Sequence, residues 1–92
     1  MKMTIWKFPF EVADETEIMM PEGAQPLHVD VQNGRPCLWA LASKDRPRKV
    51  HKFAMRGTGH VADGLLVEMY VGTFQMFDGK LIFHVFDRGE RP

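Results

Sequence analysis

The sequence predicts an all-β protein, a small antiparallel sandwich or partly open barrel of six or seven strands. Three observations lead there. Asn33-Gly34 lies between two alternating runs and Asp78-Gly79 between two more, and both pairs suit the positive φ of a type I′ hairpin turn. Apolar residues recur mostly with a period of two. Pro and Gly punctuate the chain at the spacing found in sandwiches and small barrels.

The first strand covers residues 3–10, where Trp6, Phe8 and Phe10 share one parity and Lys7 the other. Pro9 cannot donate to a ladder, so it ends this strand or marks a sheet edge. Residues 11–17 are acidic and turn-like. Residues 17–20 form a short second strand, and residues 21–26 a Pro- and Gly-bearing loop.

The Asn33-Gly34 turn sets the register of the next two strands: Val31 faces Pro36, Asp30 faces Cys37, Val29 faces Leu38, His28 faces Trp39 and Leu27 faces Ala40. Leu27, Val29, Val31, Pro36, Leu38 and Ala40 then make a core face. The opposite face is mixed and carries His28, Cys37 and Trp39.

Residues 43–49 read as a basic loop, 50–56 as a strand, and 57–64 as a glycine-bearing loop. In residues 65–77 the first half suits a helix by composition, whereas β-branched and aromatic residues after Tyr70 argue for a strand. Asp78-Gly79 pairs Phe74 with Phe83, Thr73 with His84 and Gln75 with Ile82. Phe74, Met76, Leu81, Phe83 and Val85 share one face, and Val71, Phe77, Ile82 and Phe86 the other. A strand apolar on both sides is central to a closed sheet or pressed against another chain; the second reading implies a homo-oligomer. The charged tail after Phe86 reads as frayed.

Composition narrows the function. Twelve basic and twelve acidic residues among 92 cancel, which argues against duplex nucleic acid as a partner. The single Cys37 excludes an internal disulfide and a cysteine-built zinc site, and fits a reducing compartment. His28, His51, His60 and His84 lack metal-ligand spacing, so neither a metal nor a cofactor is expected. No signal peptide and no membrane-spanning stretch is legible, giving a single cytoplasmic domain over residues 1–92. No paired carboxylates or base–nucleophile motif points to catalysis. Cys37 beside His28 or Asp30 reads more simply as a sheet thiol than as a nucleophile.

The most suggestive stretch is Gly57-Thr58-Gly59-His60, preceded by Arg56. Glycines let backbone N–H groups converge on an anion, with Arg56, Thr58 and His60 as donors; the plainer reading is a glycine turn between strands. Trp39 and His28, on the mixed face, can take a base or ligand ring.

The stretches Ile5-Trp6-Lys7-Phe8, Met20-Pro21-Glu22-Gly23-Ala24, residues 31–40, Gly57-Thr58-Gly59-His60, residues 70–75 and His84-Val85-Phe86 resemble, in that order, a family of short phage and prophage proteins with no assigned activity. The resemblance leaves out residues 11–17 and 43–49. It implies a phage accessory protein in a host bacterial cytoplasm and brings no catalytic residues with it. The expected function is a non-catalytic binding protein that interferes with host immunity. It would sequester a nucleotide-type signalling molecule at a subunit junction, with Arg56, Thr58 and His60 on the phosphate and Trp39 or His28 on the base. The alternatives are an inhibitor or adaptor of a host defence enzyme, and a minor virion component.

Overall fold

The computed structural model describes residues 2–91 and forms two antiparallel sheets packed face to face. Its strands are β1 (Thr4–Pro9), β2 (Glu15–Pro21), β3 (Gln25–Gln32), β4 (Arg35–Ala42), β5 (Arg48–Gly57), β6 (Tyr70–Met76) and β7 (Leu81–Glu90). One sheet has the order β1-β4-β3 and the other β2-β5-β7-β6. Neither closes on itself, so the sandwich alternative holds and the barrel does not. The helical option for the start of residues 65–77 reduces to one 3₁₀ turn, Val67–Met69.

Alternation builds the core. Phe8 and Phe10 enter it from the first strand and the residue just past it, while β4 supplies Leu38, Ala40 and Ala42. Phe53 and Met55 of β5, Phe74 of β6 and Val85 of β7 face them from the second sheet. The outward parity of β4 holds Cys37, Trp39 and Leu41, and that of β7 holds Ile82, His84 and Phe86.

Both hairpin registers are as expected near their turns, and both shift further along. Asn33 and Gly34 have φ of 52° and 79°, and the pairs from Gln32↔Arg35 to His28↔Trp39 follow. A bulge between Pro26 and His28 then places Pro26, not Leu27, opposite Ala40. Leu27 is expelled from the expected core face and is 48% exposed. The second hairpin keeps Phe74↔Phe83, Thr73↔His84 and Gln75↔Ile82 until a bulge between Tyr70 and Gly72. That bulge turns Val71 from its expected outer position toward the core cluster.

Two expectations of irregular structure are corrected. The second strand, expected over residues 17–20, is longer and runs over Glu15–Pro21, residues 25–26 begin β3, and only Glu22, Gly23 and Ala24 remain as the turn between them. The tail after Phe86 is ordered as far as Arg91: Asp87, Arg88, Gly89 and Glu90 complete β7, and the Arg91 N–H donates to the Val50 carbonyl at 2.9 Å, while Pro92 lies outside the described residues. Arg88 makes two hydrogen bonds to Glu15, at 2.7 and 3.0 Å. β7 is an interior strand of an open four-stranded sheet, with Phe83 and Val85 on its core side and Ile82, His84 and Phe86 half-buried on its outer side.

Candidate functional site

The loop that ends β5 and the turn that starts β7 meet at one end of the sandwich. Gly57 pairs with Phe83, and the Thr58 N–H donates to the Ile82 carbonyl at 3.3 Å. The chain then turns back, with the His60 N–H donating to the Gly57 carbonyl at 3.0 Å. A Cβ at Gly57 would lie 3.0 Å from His60 Cε1, so the absence of a side chain lets the imidazole rest against the strand. Gly59, at φ +88°, supplies the left-handed residue of the turn.

These residues line a groove of about 270 Å³ together with Lys80, Leu81, Ile82 and Phe83. Thr58, His60 and Lys80 are exposed. The groove therefore combines one permanent cation, an imidazole and a hydroxyl-bearing turn around an apolar floor, a chemistry suited to a small anion. Lys80 carries its charge without any motif around it, and only its position beside the Asp78-Gly79 turn places it here.

Thr58 belongs to a chain of hydrogen bonds across the outer side of the second sheet. Its Oγ1 is 2.7 Å from His84 Nε2, His84 Nδ1 is 2.9 Å from Thr73 Oγ1, and Thr73 Oγ1 is 2.6 Å from the Tyr70 hydroxyl. Each member both donates and accepts, so the chain has two directions. When the Thr58 hydroxyl donates outward, His84 Nε2–H donates to Thr58, Thr73 donates to Nδ1, and Tyr70 donates to Thr73. A ligand oxygen that accepts from Thr58 selects this direction. Opposition of Thr73 and His84 is legible from the turn register; the entry of Thr58 and Tyr70 is not.

Arg56 is not a free fork. Its Nε donates to the Val61 carbonyl at 3.1 Å, its Nη1 to the carbonyls of Asp14 and Met55 at 2.8 and 2.9 Å, and its Nη2 to Glu15 at 3.1 Å. The side chain clamps the residue 61 loop and the start of β2, and it is not among the residues lining the groove. Arg88, the largest influence, and Arg56 hold the Glu15 carboxyl below its usual range against a weaker opposing effect of burial.

Trp39 and His28 lie elsewhere. Their rings are 6.2 Å apart at 37°, tilted rather than stacked, on the outer side of the three-stranded sheet. One chain thus does not join them to Thr58 and His60. Cys37 is 2% exposed, with Sγ 3.5 Å from the Arg35 carbonyl, as a structural thiol would be. Among the described residues no cluster of His, Cys, Asp and Glu could hold a metal ion, and no helix is long and apolar enough to cross a membrane.

A buried pair stands apart from the groove. His51, 4% exposed, lies 2.7 Å from Asp87 through Nε2 and stacks on Phe53 at 4.8 Å. Burial acts to raise the Asp87 carboxyl, but the hydrogen bonds from His51 and the Gly89 N–H outweigh it and hold it below its usual range. The sequence holds no signal for this pair, because the two residues are joined only by the β5–β7 ladder and its bulge.

A family model described as a domain of unknown function, DUF7352, matches residues 1–92. No curated protein and no solved structure matches the chain.

Proposed function

The chain belongs to the DUF7352 family, and on that footing we propose that it is a non-catalytic binding protein for a small phosphate-bearing anion of the nucleotide type. The observation that carries this reading is the convergence of Thr58, His60 and Lys80 on one groove. Lys80 takes the part that Arg56 was expected to fill. The hydrogen-bonded chain behind Thr58 is compatible with it, because in one of its two directions the Thr58 hydroxyl is free to donate to a ligand oxygen. The resemblance of the motifs to short phage proteins supports the biological setting: an accessory protein in the host cytoplasm that withholds a signalling nucleotide from host immunity.

Titration calorimetry of the full chain against inorganic phosphate and a panel of linear and cyclic nucleotides tests the reading. Binding is expected for phosphate and for at least one nucleotide class. Lys80→Ala should weaken both about tenfold, as expected for loss of one charge-assisted contact of about 1.4 kcal/mol. Silence across the panel overturns it.

A second reading, an inhibitor or adaptor that docks on a host enzyme, draws on a different observation. Leu66, Val67 and Tyr70 are 55%, 87% and 50% exposed within five residues at the entry to β6. Capture of one stoichiometric host protein that resists high salt, lost in Val67→Lys, would favour it.

A further inference from the structure

A second depression adjoins the anion groove. It measures about 610 Å³ and is lined by Glu11, Val12, Gly34, Arg35, Pro36, Met76 and Phe77, sharing Leu81 and Phe83 with the groove. Both hairpin tips border it, the first through Gly34 and Arg35, the second through Met76 and Phe77. We propose that this depression is the ring subsite of the same ligand, and that Phe77 is the platform on which a nucleobase stacks. The proposal rests on the anion reading above and extends it.

Phe77 is the observation that carries the proposal. Its φ is +54°, followed by +56° at Asp78 and +82° at Gly79. A type I′ turn requires two left-handed residues, and Asp78-Gly79 supplies them from residue types that tolerate it. The third is a phenylalanine, for which this conformation is unfavourable. No burial offsets it, because Phe77 is 66% exposed. An unfavourable backbone that holds an aromatic side chain in solvent beside a depression is what a ligand platform would need.

The rim suits a heterocycle. Arg35 and Glu11 form an exposed, long contact of 3.4 Å, a weak pair that a ligand can replace. Arg35 can donate to a ring nitrogen or carbonyl, and Glu11 can accept from an exocyclic amine. Pro36, Met76 and Leu81 supply apolar contact. Continuity with the groove through Leu81 and Phe83 sets the anion and the ring side by side within one chain, without a second copy and without Trp39.

The test compares inorganic phosphate with purine and pyrimidine nucleoside monophosphates, by calorimetry on the full chain, for the wild type, Phe77→Gly, Phe77→Asn and Trp39→Ala. Both substitutions at position 77 suit the backbone, so their urea midpoints should hold or rise. Wild type should bind at least one nucleoside monophosphate about tenfold or more above phosphate. Phe77→Gly and Phe77→Asn should erase that advantage and leave phosphate binding unchanged, while Trp39→Ala keeps both. Phosphate binding without a nucleotide advantage overturns the ring subsite and leaves the anion groove standing. So does an advantage that survives Phe77→Gly or is lost in Trp39→Ala. No binding of any anion overturns both.

Discussion

Asp87 and Glu15 are two of the carboxylates through which acidity reaches the fold. Both are held below their usual range: at Asp87 burial pushes upward but is outweighed by the hydrogen bonds from His51 and Gly89, and at Glu15 Arg88 and Arg56 together prevail over burial. A carboxyl that is more acidic in the folded chain contributes stability above its unfolded pKa. That contribution fades as pH falls through the depressed folded value. Urea midpoints should therefore drop between pH 5 and pH 3 in the wild type. Asp87→Asn should be less stable at neutral pH and show a flatter acid limb; parallel curves for the two proteins would contradict this account. Arg56 illustrates a different point at this scale. Its presence before a glycine loop was legible and its role was not, because an arginine's partners are chosen by distant carbonyls, here those of Asp14 and Val61.

At the scale of the element, β7 departs most from expectation. Its charged end looked like a frayed tail because Asp, Arg, Gly and Glu are poor strand formers. The partners waiting on β5 and β2 override that preference: Phe53 faces Asp87, Lys52 faces Gly89, and Glu15 receives Arg88. A chain ending at Phe86 should lose stability cooperatively. Leaving the buried His51 ring without its partner alone removes about 1–3 kcal/mol. Urea denaturation of that truncated chain checks this, and an unchanged midpoint would restore the frayed tail. The two hairpin bulges belong to the same scale. Turn chemistry reads out register only as far as the ladder stays regular, so Leu27 and Val71 were assigned the wrong side.

The two sheets of the sandwich approach closely where β6 crosses β3. A Cβ at Gly72 of β6 would lie 3.0 Å from Cγ2 of Val29 on β3, and Val29 is fully buried. Gly72→Ala should destabilise the protein by about 1–3 kcal/mol, the usual range for overpacking a close-packed site. Gly57→Ala, which meets only the exposed His60 ring, should be far milder. Equal losses in urea denaturation would argue against this view of the joint. The same packing separates Trp39 and His28 from the Gly57–His60 turn, because the outward sides of two face-to-face sheets point in opposite directions.

Local chemistry in the sequence was enough to determine the all-β class, both hairpin turns, the registers beside them, the Phe74, Val85 and Leu38 core and the pairing of Thr73 with His84. These follow from a period of two and from residues that tolerate positive φ, which act over a few positions. Tertiary structure alone decided the sheet order, the three bulges, the binding of the charged tail, the His51–Asp87 pair and the arrival of Lys80 beside Thr58 and His60. Each of these joins residues through another strand. Alternation tells which side of its own strand a residue occupies, but not which strand lies beside it.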